Sequence, residues 1–492
     1  MILRSCLLCW PVLKRFVQKY RGMSPSLKAG AYFVLCNCIQ RGIQFLMLPL
    51  YTRLLSTAEY GTYTIFLSWF NILSVLGTLN VYQGVFNNAM LKFEDDRRAF
   101  LSSMQTMTTL ITLVVFSLLV VGLSPEFKSS LGLSTSYLVL MCVQTLCYLP
   151  LQIWCALERF EYRYRMLIAV TVVMAVATPL LMVGFIRLFP DDKAFGAVVG
   201  YVIAQSIPGL CIYVFNAVRG KCFFKREYWG YALKFNVPLI PHYLSVLILN
   251  QADRIMIGYF CGNSDAGIYS LAFQIALALS LVTTGINSAF VPWTYEKLRG
   301  KNVVALRSSS TLLVAVVAVA ALLLILIAPE LILIAGGPSY AEAAYLMPPI
   351  VLGAFFTFVY TLFVNVEFYF ECNKLVAFST TAVAILKVLL NVLTIPRWGY
   401  FAASYTTFVA YLALAVVHFT FMVRIPGVKV LGMCPYDTRK LVAVSVLVTL
   451  SACLFMLLYP MRVARLLLIL IFGTCLVAFR KKLLPFLRRF SR

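Results

Sequence analysis

The sequence predicts an all-α, polytopic membrane protein with about 14 transmembrane helices. Of its 492 residues, 62% are hydrophobic and only 12% are charged, and its mean hydropathy is +0.89. A soluble domain is roughly half apolar and a quarter charged. Apolar runs of about 20 residues, the length that crosses a bilayer core of roughly 30 Å, recur along the chain. The runs are continuous and do not alternate, which excludes a transmembrane barrel.

Each of these apolar runs is interpreted as one membrane span. The predicted spans, in chain order, are residues 31–50, 60–86, 100–122, 136–157, 166–189, 194–218, 232–252, 268–291, 304–328, 345–366, 375–395, 401–423, 441–459 and 463–479.

A short motif occurs twice, as "TAEYGTY" at residues 57–63 and as "NSDAGIY" at residues 263–269. At an offset of 206 residues, the acids Glu59 and Asp265, the glycines Gly61 and Gly267, and the tyrosines Tyr63 and Tyr269 coincide. Both copies follow a span that ends outside, and six spans separate them, so the two halves run in the same direction through the membrane. This pattern predicts a parallel repeat of the kind seen in transporters. Each acid is expected to cap its helix, and each glycine is expected to permit close helix approach.

The repeat divides the chain into two parallel six-helix lobes and two extra C-terminal helices. The predicted segments are a basic cytoplasmic N-terminal segment (1–30), an N-lobe of spans 1–6 (31–218), a cytoplasmic linker (219–230), a C-lobe of spans 7–12 (231–423), a second cytoplasmic linker (424–440), spans 13–14 (441–479) and a basic cytoplasmic tail (480–492).

The formal net charge of +24 is explained by membrane topology. With the N-terminus inside, the inner segments hold 31 of the 42 Lys and Arg, the outer segments hold eight, and three lie within spans. Such an excess on one side follows the positive-inside rule, so both termini are predicted to be cytoplasmic. Because the basic residues are accounted for in this way, nucleic-acid binding is not expected.

The three basic side chains within spans, Arg41, Lys234 and Lys387, are predicted to form a cationic substrate-binding cavity. Charged residues at membrane depth are costly and are usually functional or paired. Arg41 lies about ten residues into the first span, too deep for its guanidinium to reach either surface easily. For Lys387, cavity lining and snorkelling are both open. For Lys234, one turn from the cytoplasmic end of its span, an interfacial anchor is the competing interpretation.

Polar side chains at helical spacing are predicted to line the same cavity. Asn37, Gln40 and Gln44 share a face with Arg41, since they lie at spacings of three, four and seven residues. The other predicted lining residues are Asn71, Gln144, Gln152, His242 and Asn391. A cavity whose deep charges are all positive should hold an anion, because a guanidinium gives a phosphate bidentate hydrogen bonds.

The residues "L-S-x-x-E-Y-G-x-Y" at 55–63, "N-x-x-D-R-x-x-I-G" at 250–258, the following "AGIYSLAFQIA" and the 14-span layout resemble the polysaccharide transporter family. These are O-antigen type flippases of lipid-linked oligosaccharides, within the multidrug, oligosaccharidyl-lipid and polysaccharide exporter superfamily. The resemblance covers essentially the whole chain in layout.

The resemblance implies a carrier in the bacterial inner membrane and not an enzyme. Its cargo would be an undecaprenyl-pyrophosphate-linked oligosaccharide, moved from the cytoplasmic to the periplasmic leaflet by alternating access. Arg41 would meet the pyrophosphate, and polar stripes would bind sugar hydroxyls. The lipid bilayer and a polysaccharide polymerase or chain-length machinery are the implied partners, and no cofactor or metal is expected. Asp253 and Arg254, where the seventh span meets the outer surface, are interpreted as a paired periplasmic gate.

Two other function classes compete with this interpretation. A multidrug antiporter that exchanges a cation for protons or sodium ions would need a carboxylate near the centre of a span, and the sequence places none there. A membrane glycosyltransferase or polysaccharide polymerase would need a large outer loop with an acid or arginine pair. The longest outer loops have about 15 residues, too few for such a domain.

Overall fold

The computed structural model describes residues 25–132, 134–472 and 474, so most of the predicted N-terminal segment and all of the basic tail lie outside the described residues. Helices account for nearly all of the described chain, which contains no strand. The α-helices are α1 (Pro25–Leu54), α2 (Thr57–Thr78), α3 (Phe86–Lys92), α4 (Arg97–Gly122), α5 (Pro125–Ser130), α6 (Thr135–Phe160), α7 (Tyr164–Leu188), α8 (Lys193–Gly220), α9 (Arg226–Asn236), α10 (Ile240–Phe260), α11 (Asn263–Ala276), α12 (Ala278–Arg299), α13 (Val303–Leu326), α14 (Ala328–Gly336), α15 (Ala343–Tyr369), α16 (Asn373–Trp398), α17 (Phe401–Arg424), α18 (Pro426–Val430) and α19 (Thr438–Leu457). Residues 462–472 are also helical.

Within the described residues, eleven helical segments are long and apolar enough to cross a membrane. They coincide one by one with the third to thirteenth predicted spans, so the all-helical membrane fold is confirmed. The first predicted span lies in α1, and the fourteenth lies partly outside the described residues. The second ends earlier than predicted, because α2 stops at Thr78 and Leu79 adopts left-handed backbone angles. The total of 14 spans remains a prediction.

The first copy of the repeated motif begins α2 with a capping box. The Ser56 hydroxyl accepts from the Glu59 amide at 3.3 Å, and the Glu59 carboxylate accepts from the Ser56 amide at 2.7 Å. These bonds satisfy two amides that the first helical turn leaves free. The second copy differs from the prediction. Asp265 lies in the first turn of α11, but the N-cap is Gly262 and no side-chain cap bond forms.

The seventh predicted span is bent. α9 ends at Asn236, a 3-10 turn covers Val237–Leu239, and α10 begins at Ile240. Pro238 and Pro241 lack backbone N–H groups, so a regular helix cannot continue through this segment. Asn236 is buried, and its side chain accepts from the Val85 amide at 3.1 Å.

The two motif copies pack directly against each other. A β-carbon on Gly61 would overlap the Asn263 carbonyl and lie 3.0 Å from the Gly267 amide nitrogen. A β-carbon on Gly267 would lie 3.1 Å from the Gly61 amide nitrogen in return. One turn further, Ser270 donates to Thr64 at 2.9 Å, and these residues are also 206 apart. The glycines therefore permit close approach of α2 and α11, as predicted, and equivalent residues of the repeat meet across this contact.

The main apolar core surrounds α15, the most buried of the eleven candidate spans. A second, smaller cluster lies at the predicted cytoplasmic side and joins α3 and α4 to α9 through Phe86, Phe100 and Tyr228. Asp96, which precedes α4, accepts hydrogen bonds there from the Tyr228 hydroxyl at 2.9 Å and from Lys225 at 3.3 Å. Along the chain, the bend at residues 237–239 therefore lies between α9, which joins this cluster, and α11, which forms the Gly61–Gly267 contact.

Candidate functional site

Arg41 of α1 reaches across to α12. Its Nη1 donates to the Ser280 hydroxyl at 3.4 Å, and the residue is exposed. No acidic side chain in the described residues forms an ion pair with it. An arginine so deep in a predicted span, held by a single long bond to a neutral hydroxyl, retains most of its donors for another group.

The part of α12 that Arg41 contacts is polar and exposed. Thr284 and Ser288 follow Ser280 at steps of four residues and so share its face, and both are exposed. Gln44, one turn beyond Arg41 on α1, is exposed as well. Hydroxyls and amides in membrane-depth segments normally face protein or water, since lipid offers them no partner. We call Arg41, Gln44, Ser280, Thr284 and Ser288 the α1–α12 polar face.

A second guanidinium lies against α11, the helix that precedes α12. Arg254 of α10 is 5% exposed, and its guanidinium carbon lies 4.4 Å from the centre of the Phe273 ring. It donates to the Gln251 side chain at 2.7 Å and to the Asn250 carbonyl at 3.2 Å, both neutral oxygens. Within the described residues it has no carboxylate in ion-pair range.

The two guanidiniums contact positions on either side of the junction between α11 and α12. Phe273, under Arg254, lies near the end of α11, and Ser280, bonded to Arg41, lies near the start of α12. The Gln251 side chain that holds Arg254 also accepts from Ser68 of α2 at 3.2 Å. Arg254 is thus positioned where α2, α10 and α11 meet.

Lys387 does not line this face, contrary to the prediction that it binds substrate. Its side chain is fully buried and forms an ion pair with Asp253 at 2.7 Å. The ammonium also donates to the Leu249 carbonyl. The Asp253 carboxylate accepts further bonds from Tyr269, Asn391 and Thr407 at 2.7, 2.8 and 2.9 Å. With its charge neutralised and its carboxylate saturated by donors, this cluster is internal to the packing of α10, α11, α16 and α17.

The expected pairing of Asp253 with Arg254 is wrong for a geometric reason. Adjacent helix residues point about 100° apart and do not face each other. Asp253 shares its face with Leu249, one turn earlier, and that face meets α16. Arg254 points instead toward α11. The predicted seventh span ended at residue 252, whereas α10 continues to Phe260, so Asp253 lies within the helix rather than at its outer end.

The remaining predicted lining residues are dispersed. Gln40 is half-buried, and the side chain of Asn37 lies outside the described set. Asn71 donates to the Leu67 carbonyl of its own helix at 2.8 Å. On α6, Gln144 is buried and Gln152 is half-buried. Asn391 belongs to the Asp253 cluster. Lys234 is exposed on α9, and His242 is half-buried near the start of α10. The structure therefore joins Arg41 to the Ser280 hydroxyl of α12 and leaves Gln44 exposed one turn further along α1, and it places Lys234 and Lys387 elsewhere.

Several polar residues were not predicted from the sequence. Ser280, Thr284 and Ser288 form a stripe at four-residue spacing that a search for charged residues overlooks. Glu367 and His418 are both fully buried, and Glu367 follows the predicted end of its span by one residue. His418 could have been found from its position inside the apolar run "AVVHFTFMV". Histidine is rare in this chain, which has only two.

The fold defines a class of protein, the helical membrane proteins with the fold of solved flippases and transporters. The chain matches an inward-closed structure of the lipid II flippase MurJ with a TM-score of 0.63 and 14% identity, over 92% of this chain and 99% of that one. It matches an inward-facing MATE multidrug resistance transporter of the MOP superfamily with a TM-score of 0.59 and 13% identity, over 81% of this chain and 94% of that one. At these identities the likeness shows the fold.

The chain belongs to the family of polysaccharide biosynthesis proteins, whose model matches residues 26–298. It is 26% identical over 160 residues to Lsg locus putative protein 1 of Haemophilus influenzae, which is 32% of this chain and 40% of that protein. It is 25% identical over 211 residues to an uncharacterized membrane protein of the same organism, which is 42% of this chain and 51% of that protein. The matched regions thus span about half or less of these relatives.

Proposed function

We propose that this protein is a flippase that carries an undecaprenyl-pyrophosphate-linked oligosaccharide, a repeat unit of O-antigen or another surface polysaccharide. It acts in the bacterial inner membrane, with both termini cytoplasmic, and moves its cargo from the cytoplasmic to the periplasmic leaflet by alternating access. Membership of the polysaccharide biosynthesis family and the flippase fold support the class of activity. The solved structures that share this fold are a flippase and a transporter, and the proposal includes no catalytic step.

The observation that best supports an anionic cargo is that two guanidiniums form no ion pair within the described residues. Neither Arg41 nor Arg254 has a carboxylate in ion-pair range within the described residues, whereas the deep lysine, Lys387, forms an ion pair with Asp253. Arg254 is buried, and a buried cation without an ion-pair partner is unfavourable, while the exposed Arg41 keeps donors free; a pyrophosphate supplies both charge and bidentate acceptors. The exposed hydroxyls of Thr284 and Ser288 offer hydrogen bonds to sugar hydroxyls beside it.

The same charges argue against an organic cation as cargo. A cation antiporter needs a carboxylate that is free to bind the cation, and Asp253 already holds an ammonium group and three other donors. Glu367 is fully buried, and one of its carboxylate oxygens is bound by His418. The α1–α12 polar face itself contains no acid.

The test is complementation of a bacterium that lacks its own flippase for the matching repeat unit. Arg41→Ala should reduce surface polysaccharide about ten- to a hundredfold at equal expression, because a charge-assisted hydrogen bond contributes roughly 1.5–3 kcal/mol. Arg41→Lys should retain part of the export, since it keeps the charge and loses the planar bidentate donors. Arg254→Ala should behave like Arg41→Ala.

Lys234→Ala is the matched control, since Lys234 is exposed on α9 and lies away from the α1–α12 polar face. It should export as wild type does. Normal export by Arg41→Ala at equal expression would remove the main support for an anion-binding face.

A further inference from the structure

An open cleft of about 520 Å³ lies between the N-terminal parts of α13 and α19, away from the α1–α12 polar face. We call it the α13–α19 cleft. Its polar lining residues are Arg307, Ser308 and Thr311 of α13, with Asp437 and Lys440 at the start of α19. Pockets for small molecules have volumes of roughly 300–1,000 Å³, so this cleft is large enough for a ligand.

The lining of the cleft changes from polar to apolar along its helices. The three polar residues of α13 lie in its N-terminal part, and Leu312 and Ala315 line the cleft further along that helix. On α19, Val444 and the exposed Leu447 continue the face of Lys440, at steps of four and three residues. Both helices are long and apolar enough to cross a membrane. A polar end at the helix starts and an apolar end toward the helix middles match an amphiphilic ligand whose head lies at the membrane surface.

The polar end of the cleft is lined by two cations and one carboxylate. Lys440 Nζ lies 3.2 Å from Asp437 Oδ2, and Arg307 Nη2 lies 3.8 Å from Asp437 Oδ1. The hydrogen bond from the Lys440 side chain lowers the pKa of the Asp437 carboxyl, so this group is ionised at neutral pH. The lining therefore carries a net charge of +1, and a ligand group with a single negative charge would neutralise it.

Arg307 keeps most of its hydrogen-bond donors available. Its Nη1 lies 3.7 Å from Met433 Sδ, a weak acceptor, and its distance of 3.8 Å from Asp437 is too long for a hydrogen bond. The side chains of Arg307 and Lys440 are 34% and 68% exposed, so both can reach a group at the mouth of the cleft. The exposed hydroxyl of Ser308 lies on the same lining and adds a neutral donor.

We infer that the α13–α19 cleft binds an anionic phospholipid with a phosphodiester head group, of the type of phosphatidylglycerol. Its phosphate accepts from Arg307 and Lys440, and its acyl chains follow Leu312 and Ala315 toward the bilayer. The cleft lies at helix ends predicted to face the cytoplasm, where basic pockets between membrane helices bind anionic lipid head groups. A zwitterionic phospholipid fits less well, because its ammonium group needs a carboxylate and Asp437 is already shared by two cations. The inference concerns a resident lipid and does not depend on the cargo.

The experiment labels the purified full-length protein in detergent with a phosphatidylglycerol that carries a photoreactive diazirine on one acyl chain. Mass spectrometry of the peptides from α13 and α19 gives the lipid concentration at half-saturation of this site. Arg307→Ala should raise that concentration about tenfold, since it removes charge-assisted hydrogen bonds to the phosphate. Lys440→Ala should raise it about fivefold, because Lys440 is more exposed. Asp437→Asn should lower it severalfold, because both cations are released while asparagine can still cap α19.

Arg439→Ala is the matched control, since Arg439 is exposed next to Lys440 and does not line the cleft. It removes the same charge and should leave the half-saturating concentration unchanged. A diazirine phosphatidylethanolamine should label the two helices more weakly, and inorganic phosphate, which has no acyl chains, should not compete.

The inference would be overturned by labelling of α13 and α19 that does not saturate, by equal labelling with the two lipids, or by half-saturation that is the same in the wild type, Arg307→Ala and Lys440→Ala. Displacement of the lipid by inorganic phosphate would also overturn it and would assign the cleft to a soluble phosphate compound. None of these results bears on anion binding by Arg41, because no cargo is present.

Discussion

The ion pair between Lys387 and Asp253 makes a sharp prediction, because a neutralised structural pair and a substrate-binding lysine respond differently to removal. Lys387→Met leaves the Asp253 carboxylate buried without a counter-charge, and Asp253→Asn leaves the ammonium buried in the same way. Breaking a buried pair from one side typically costs about 3–5 kcal/mol. Each single variant should therefore be destabilised by about that amount.

The double variant Asp253→Asn with Lys387→Met should recover most of this loss, to within about 1–2 kcal/mol of the wild type. A methionine side chain has nearly the volume of the lysine stem that it replaces, and an asparagine oxygen at position 253 can still accept from Asn391. The new amide group can donate to Tyr269 and Thr407, whose hydroxyls can turn to accept. No charge or polar atom is then left unpaired.

The assay is heat unfolding of the four proteins in one detergent, arranged as a double-mutant cycle, together with export by the double variant. We expect a favourable coupling energy of several kcal/mol and export near the wild-type level. Single variants as stable as the wild type, or a double variant that is stable but exports nothing, would refute the assignment of Lys387 to structure.

Three further predictions test the contacts that set the fold. Gly61→Ala and Gly267→Ala should separate α2 from α11, because the new β-carbon meets backbone atoms that cannot turn aside. A cysteine introduced at Thr64 should then be alkylated faster. Gly42→Ala, which has open space around its β-carbon, should have no effect. Ser56→Ala removes a helix cap and should lower stability by about 1 kcal/mol in heat unfolding, unless Glu59 alone suffices to hold the turn. The Tyr228 hydroxyl and Lys225 hold the pKa of Asp96 below its usual value, so this contact is present above the unfolded pKa of Asp96 and is lost as pH falls through the folded value. Proteolysis of the segment at residues 221–225 should therefore increase on acidification below about pH 4 in the wild type and should be high at all pH values in Asp96→Asn.

The sequence was sufficient for the fold class because the span signal is strong and local. An apolar run of 20 residues predicts a helix whatever it packs against, and eleven such runs coincide with helices. The glycine contact could also be predicted from the sequence, since the repeat placed Gly61 and Gly267 at equivalent positions. Helix ends were harder to predict. α2 ends at Thr78 because Leu79 adopts left-handed backbone angles, which hydropathy does not encode.

The candidate site was harder to predict, because the role of a deep charge depends on its partner. Arg41 and Lys387 look alike in the sequence, as isolated basic residues in apolar runs. Only the packing of α10 against α16 shows that Lys387 faces Asp253, and only the bond to Ser280 shows that Arg41 faces α12. Asp253 seemed to lie at a helix end because the apolar run stops at residue 252, although the helix continues for two further turns.

The proposed function depends most on Arg41 of the α1–α12 polar face and on Arg254 beside α11, which are proposed to bind the pyrophosphate of a lipid-linked cargo. The most direct measurement is the Kd of the purified protein in nanodiscs for undecaprenyl pyrophosphate without sugar. We predict that Arg41→Ala raises this Kd at least about tenfold and that Arg254→Ala does so as well, whereas Lys234→Ala leaves it unchanged. Equal Kd values for the wild type and Arg41→Ala, with both proteins folded, would contradict the account.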